Sequence, residues 1–322
     1  MTNQDNSEIR ALHLKRMKMW FGAMENHEKY FDKKSGVFNE KFLESRDCPA
    51  CNSTNHRVIF KKSGGTYASC NDCEMIFLNP VFKDEYLKEF YENNHDLQGE
   101  VVSEDIDFYG DLYSKGLKQI LECGVQGRNL LDVGCSSGIF LDIAKENSWN
   151  TVGLELNRKE AERARLRGHL VKEVMLDAID DNEKYDVITL WDVFEHIKDG
   201  VSFLKQAKNH LQSTGLIFIQ SPSRDALAAR IMQAQCNMFD GLEHVNLYGL
   251  ESLKKVAKAA GYELVKFKTV IPEVGVLENY LGYQDPYLGI VGINNQLSQF
   301  LDKDRILSGG LGYKFQICLS PL

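Results

Sequence analysis

The 322-residue chain contains no uninterrupted apolar run of the roughly 18 to 20 residues that a membrane-spanning helix needs. Its first segment, MTNQDNSEIRALHLKRMKMW, lacks the apolar centre of a secretory signal. Positive charge is not in excess either: 38 Lys and Arg stand against 46 Asp and Glu, a formal net charge of -8. A protein that grips phosphate backbones usually needs a basic face, so nucleic acid is a poor default partner. No repeat at a solenoid period is visible. These absences give the expectation of a cytoplasmic protein with no membrane span. What is present, 43% hydrophobic and 26% charged residues, is an ordinary globular composition. A catalytic domain of about 200 residues with attachments accounts for such a length.

Four zones are expected. Residues 1–45 are polar and read as a helical extension, with Leu12, Met17, Trp20 and Phe21 at loosely helical spacing. Residues 46–82 are short, rich in Gly and Cys, and strand-like. Residues 83–126 read as a helical connector, with Tyr86, Leu87, Phe90 and Tyr91 on one face and Leu112, Leu117, Ile120 and Leu121 on another. From 127 to 322, strands such as NLLDVGC, NTVGLEL, YDVITLWD and GLIFIQSP alternate with helices such as GIFLDIAKEN and ESLKKVAKAAG. This alternation predicts an α/β fold with a mostly parallel sheet and helices on both faces.

Eight cysteines without an export signal suggest metal binding more than disulfides, and four of them are clustered. Cys48-Pro-Ala-Cys51 and Cys70-Asn-Asp-Cys73 are two C-x2-C knuckles, the spacing of a tetrahedral four-thiolate zinc site. Gly64 and Gly65 lie where a hairpin between the knuckles must turn. A shell closed by four thiolates leaves no place for water, so this zinc is expected to be structural. Zinc binding worth about 10–16 kcal/mol would supply the ribbon's folding energy. Stripping it is expected to unfold residues 46–80 and to leave cofactor affinity largely intact.

The strand NLLDVGC runs into Asp132-Val-Gly134-Cys135-Ser136-Ser137-Gly138, and Glu155 ends the next strand. A Gly-rich turn at the carboxyl end of a parallel strand lets a ligand approach the backbone, and the acid can accept both hydroxyls of a ribose. A nicotinamide dinucleotide would favour G-x-G-x-x-G against its pyrophosphate. Here Asp132 would repel a pyrophosphate but suits the ammonium of S-adenosylmethionine.

LLDVGCSSGIF resembles motif I of the class I S-adenosylmethionine-dependent methyltransferases, and GLELN resembles their acidic-loop motif. YDVITLWDVFEHIKD, HLQSTGLIFIQSPS and EHVNLYGLESLKKVAKAAGYELVKF resemble three later motifs, in order, over about residues 105–270. The family's final strand also has a counterpart, in GYKFQICLSPL. The resemblance implies a Rossmann-like sheet, mostly parallel with its last strand antiparallel. It implies that Asp132, Gly134, Ser136 and Gly138 line the methionine side, that Glu155 takes the ribose, and that Leu156 lies against the adenine. Asp177 and Ala178 match the position at the adenine amino group, and Trp191 would line the pocket, unless it is plain core. Ser136 departs from the Gly of many members. The cysteine ribbon with FLNPVFKDEYLKEFY is similar to the N-terminal part of a subgroup found often in sugar and surface-polysaccharide biosynthesis.

His196, after the fourth strand, and His244, in GLEHVNLY, are the two candidates for a general base acting on a hydroxyl acceptor. Either could instead be structural. Asp192, Glu195 and His196 fill the places of an E-x-x-E-H segment linked to a divalent metal in ubiquinone-pathway O-methyltransferases. Residues 271–312 read as an acceptor-site insertion in which Glu278, Tyr280 and Tyr283, with Asp285 and Tyr287, can stack on and hydrogen-bond a small molecule. The alternative is a surface subdomain or a homodimer contact. The expected partner is a small-molecule acceptor, first a nucleotide-linked or polysaccharide sugar and second a small phenol or quinol. Two other classes compete: an NAD-dependent oxidoreductase on the same fold, and an inactive methyltransferase-like zinc-ribbon adaptor.

Overall fold

The computed structural model describes residues 28–32, 35–87, 106–180, 182–289 and 301–322. Leu12, Met17, Trp20, Phe21, Phe90 and Tyr91 lie outside the described residues. Residues 28–45 are not the expected helix. They form single turns at Glu28–Tyr30 and Glu40–Phe42 and two-residue strands at Phe31–Asp32, Val37–Phe38 and Leu43–Glu44. The physical reason is aromatic: Tyr30, Phe38, Phe42 and Tyr86 close edge-on around Phe82 and one another, with ring centroids 4.7–6.2 Å apart. Burying these rings outweighs the weak helical spacing of a polar segment.

The ribbon zone holds three antiparallel strands, β1 (His56–Lys62), β2 (Gly65–Cys70) and β3 (Ile76–Leu78). Ser63 and Gly64 turn β1 into β2, both with positive φ (50° and 90°), as a tight two-residue hairpin requires. The alternation after residue 127 becomes one seven-stranded sheet. Its members are β4 (Asn129–Val133), β5 (Asn150–Leu154), β6 (Leu170–Lys172), β7 (Tyr185–Trp191) and β8 (Leu211–Pro222), followed later in the chain by β10 (Tyr262–Val270) and β11 (Lys314–Pro321). Between these last groups lies the short β9 (Asn246–Leu247). The large sheet runs in the order β6-β5-β4-β7-β8-β11-β10, with β11 antiparallel to both neighbours and the first five strands parallel. This is the Rossmann-like class I methyltransferase fold.

The central strands read as continuous apolar runs because they are covered on both faces: Leu130, Leu131, Val187, Ile188, Ile217, Phe218 and Ile219 are fully buried. The covering helices are α1 (Ile106–Glu122), α2 (Ile139–Glu146), α3 (Arg158–Leu166), α4 (Gly200–Asn209) and α6 (Leu250–Ala260), with the short α5 (Leu227–Met232) between the last two. In α6 the buried Leu253, Val256, Ala257 and Ala260 fall at helical spacing, and Gly261 ends it with φ 80°. Gly168 takes φ 87° just past α3, the stop expected from the sequence. The insertion contains α7 (Val274–Leu281) and α8 (Lys303–Ser308). No helix among the described residues is long and apolar enough to cross a membrane.

The ribbon is not a separate body. β9, from the methyltransferase part of the chain, pairs with β3 and extends the ribbon sheet to four strands. Cys48, Cys70, Met75 and Phe77 are buried in one continuous core with Leu204, Ile217 and Tyr248. The boundary expected at residue 82 is therefore bridged by both a strand pair and the core.

Candidate active site

The strand order reverses between β4 and β7, and ligands of open α/β sheets bind outside the carboxyl ends of the strands at such a point. Asp132, Gly134 and Gly138 stand there. Gly134 has φ 74°, and a Cβ on it would come within 2.5 Å of Val193 Cγ2. Gly138 has φ 84° and opens α2, with His169 Cδ2 2.8 Å from where a Cβ would sit. Ser136 is also left-handed, φ 47°, which explains why Gly suits this place in many methyltransferases. Its hydroxyl donates to Glu160 Oε2 at 3.1 Å. Gly134→Ala is expected to cost about 1–3 kcal/mol of stability, read as a lowered Tm, because strain and a side-chain clash coincide there. A wild-type Tm would show that Val193 moves freely.

Glu155 lies opposite this turn. Its Oε2 accepts the Ser136 N–H at 2.9 Å and its Oε1 the Asn157 N–H at 2.7 Å. Each oxygen retains acceptor capacity, so the pair of ribose hydroxyls fits the carboxylate as it stands. Burial raises its pKa, and the two backbone donors offset part of that rise. Asp132 is 2% exposed, and Thr189, its register partner on β7, donates to Oδ1 at 2.7 Å. Burial pushes its carboxyl up to about 8; the Thr189 bond opposes this and the nearby Glu155 adds to it. Leu156 is 41% exposed, and Asp177 and Ala178 are exposed on the single turn Leu176–Ala178 that follows β6.

A second group of polar side chains gathers at the ends of β7, β8 and β10 and the start of β11. His196 and His244, 48 residues apart in the chain, come into contact with ring centroids 5.0 Å apart. His196 Nδ1 donates to the Glu243 carbonyl at 3.0 Å and His244 Nδ1 to the Met238 carbonyl at 2.7 Å. In both rings this leaves the lone pair on Nε2. Burial, and then the neighbouring His244, lower His196 to about 4. Burial also disfavours charge on His244, but Asp240 and Glu195 outweigh it and raise its pKa. Glu195 is 0% exposed, both its oxygens lack a hydrogen-bond partner among the described residues, and burial lifts it to about 7. Ligand atoms of Glu195, His196 and His244 lie within 4.8 Å of one another, a set that fits a divalent cation by donor type. Beside them, half-buried Lys314 donates to Asp192 Oδ2 at 2.5 Å, and Gln220 donates to the same oxygen at 3.2 Å.

A family model described as a methyltransferase domain matches residues 106–266, half of the chain. The chain belongs to that methyltransferase family. Among curated proteins, it is 28% identical over 113 residues to a ubiquinone biosynthesis O-methyltransferase of Actinobacillus pleuropneumoniae serotype 7, covering 31% of this chain and 48% of that one. A ubiquinone biosynthesis O-methyltransferase of Glaesserella parasuis serovar 5 is 31% identical over 117 residues, covering 33% and 50%. The chain spans about half the length of the curated relatives it matches. Among solved structures, a SAM-dependent methyltransferase from Archaeoglobus fulgidus shares 18% identity at a TM-score of 0.47, covering 65% of this chain and 93% of that one.

Not every residue expected in the methyltransferase site faces it. Trp191 packs between Tyr113 and Phe218, at 4.7 Å from each ring, under α1 and beside Gly116. Its place is thus an aromatic core adjoining the site. Tyr283 is 100% exposed among the described residues. Tyr280 and Tyr287 pack on the core around Leu277, and Asp285 accepts the N–H groups of Tyr287 and Leu288 as a turn cap. These polar-aromatic residues are built into the fold, because α7 needs its apolar face covered. Glu278 differs: its Oε1 is buried without a partner among the described residues. Two members of this polar group, Gln220 and Lys314, are not among the residues expected from the sequence. Their signal was a polar residue in an otherwise apolar strand, IFIQSP and YKFQIC, which only pays when several strand ends converge.

The four ribbon thiols fit a zinc ion. Cys48–Cys73, Cys51–Cys73 and Cys51–Cys70 sulfur atoms are 3.4, 3.5 and 3.6 Å apart, and all four lie within 4.8 Å of one another. Zn–S bonds of about 2.3 Å in a tetrahedron place sulfurs about 3.8 Å apart. Both knuckles have one shape: Asn52 and Glu74, just after the second cysteine of each, have φ 56° and 59°. Their N–H groups donate to the carbonyls of Cys48 and Cys70 at 2.8 and 3.0 Å.

Proposed function

We propose that this protein transfers a methyl group from S-adenosylmethionine to a hydroxyl of a small acceptor, first of all a phenolic hydroxyl of the catechol or quinol class. The observation that carries the reading is Glu155, held by two backbone N–H groups beside the left-handed turn that follows Asp132, in a sheet with the antiparallel β11 inserted between β8 and β10. An all-parallel dinucleotide-binding sheet lacks that strand, which weighs against a nicotinamide oxidoreductase. The intact acids weigh against an inactive adaptor. The names of the curated relatives favour a phenolic acceptor over the sugar expected from the sequence. The four thiols belong to the two ribbon knuckles and the proposed cradle to the ends of β4 and β5, and a shell of four thiolates leaves no open position, which supports a structural zinc.

S-adenosylmethionine, when bound, supplies an electrophilic methyl group on a sulfonium. Asp132 would hold its ammonium and Glu155 its ribose. His244 Nε2, in the polar group at the ends of β7 and β8, would take the proton of the acceptor hydroxyl as that oxygen receives the methyl group, the sulfonium keeping the electron pair of the broken sulfur–carbon bond. Asp240, which accepts the N–H groups of Leu242, Glu243 and His244, stands 3.6 Å from His244 Nδ1 and balances the imidazolium that forms. A pKa above the ordinary histidine value makes His244 the stronger base; His196 stays neutral and packs its ring.

Isothermal titration with S-adenosylhomocysteine and with NAD tests the cofactor, and binding of NAD alone would reject the proposal. Methylation of a catechol against a nucleotide sugar then ranks the acceptors. His244→Ala is expected to lower kcat at saturating acceptor by about 10²–10⁴-fold, and His196→Ala by less. Full turnover in both variants would remove the base from the mechanism.

A further inference from the structure

The ribbon touches more than its own sulfurs. The two histidines sit on segments that continue into Ile197–Lys198 and Val245–Asn246, and one side chain of the ribbon zone joins these continuations. Arg46 donates from Nη1 to the Lys198 carbonyl at 3.2 Å, and from Nη2 to the Val245 carbonyl at 2.6 Å and Asn246 Oδ1 at 2.9 Å. Its Nε donates to Leu78 O in β3 at 3.1 Å. Asn246 completes the clamp by donating to Ile197 O at 2.6 Å. Burial lowers the Arg46 pKa to about 10, which leaves the guanidinium charged at neutral pH.

A second set of contacts holds the His244 loop directly. The fully buried Tyr67 of β2 accepts the Gly241 N–H at 3.0 Å and donates to the His244 carbonyl at 3.5 Å. Leu78 N–H donates to Val245 O at 3.0 Å, and Lys62 Nζ donates to Cys236 O at 2.9 Å. The hairpin lies against this loop so closely that a Cβ on Gly65 would stand 2.1 Å from Gly241 O. Among the described residues, the proposed cradle of Asp132, Gly134 and Glu155 receives no such hydrogen bond from the ribbon.

We infer that the zinc ribbon is the scaffold of the acceptor-side histidine pair, with Arg46 and Tyr67 as positioning residues that set the His196–His244 spacing. Zinc fixes the ends of β2 and β3 through Cys70 and Cys73, and these strands carry Tyr67 and Leu78. The ribbon thus acts on the acceptor half of the reaction and not on cofactor binding. The inference rests on the proposed role of the histidines, so its test has one arm that needs no turnover.

Hydrogen exchange of the full chain is measured with zinc bound and after chelation. Faster exchange is expected in residues 236–248 as well as in the ribbon, with residues 129–160 unchanged. Unchanged protection of 236–248 after zinc leaves would overturn the scaffold. In the second arm, Tyr67→Phe removes one hydroxyl and is expected to lower kcat by about ten- to a hundredfold, while affinity for S-adenosylhomocysteine stays within about twofold. Arg46→Lys, which keeps the charge and loses the fan of donors, should show the same split. Wild-type kcat in both variants, or a parallel loss of S-adenosylhomocysteine affinity, would overturn the positioning role. A wild-type protein that binds no S-adenosylhomocysteine would instead reject the methyltransferase reading, and the exchange result would stand by itself.

Discussion

Glu155→Ala is expected to weaken binding of S-adenosylhomocysteine by about 10²–10⁴-fold. Hydrogen bonds to a charged group contribute about 1.5–3 kcal/mol each, and a ribose offers two hydroxyls to this carboxylate. The loss is compounded because the same oxygens hold the N–H groups of Ser136 and Asn157, so the left-handed turn loses its anchor as the ligand loses its acceptor. Glu155→Asp keeps the charge but withdraws it by one methylene, and an intermediate affinity is expected. Calorimetric titration of both variants decides the matter. If Glu155→Ala binds within threefold of wild type, the ribose is held elsewhere and the proposed orientation of the methyl group fails with it.

Cofactor binding at pH 7 is expected to release a proton from Asp132. In the free protein its carboxyl is raised from about 3.8 to about 8, mainly by burial, so it is largely protonated at neutrality. An ammonium placed beside it favours the carboxylate and lowers that pKa, and the proton leaves. Titration in two buffers of different ionisation enthalpy reads the number released; it should fall toward zero by pH 9 and vanish in Asp132→Asn. The same shift sets the stability of the free protein. A carboxyl whose folded pKa lies above its unfolded one binds more protons in the folded state. Its contribution is therefore complete below about pH 3.8 and is lost as pH rises toward 8, a loss that bound cofactor should reverse. Proton uptake on binding would show that Asp132 does not face the ammonium.

The left-handed turn after Asp132 was legible in the sequence because it is local. Asp132, Gly134 and Gly138 sit on one turn, and the left-handed backbone at Gly134 and Gly138 restricts those positions nearly to glycine. Glu155 was legible because it ends the next parallel strand, so its distance along the chain fixes its distance in space. The cysteine knuckles were legible for the same reason: each is closed by a bond from Asn52 or Glu74 back to the first cysteine carbonyl. The acceptor side was not. Tyr283 and Asp285 matched the composition of a binding surface, yet one faces solvent and the other caps a turn. Lys314 and Gln220 gave only the faint signal of polar residues in apolar strands.

The two histidines and the ribbon mark the same boundary. By itself the sequence determined the strand–helix alternation after residue 127, the four-thiol set and the left-handed turn after Asp132, all set by short-range periodicity and backbone chirality. Only the tertiary structure decided that β9 joins the ribbon sheet, that Arg46 ties the chain after His196 to the chain after His244, and that Glu195 is enclosed with them. The two Arg46 contacts span 152 and 199 residues. Their register depends on which buried donors find carbonyls once the core closes, and no local pattern encodes that outcome.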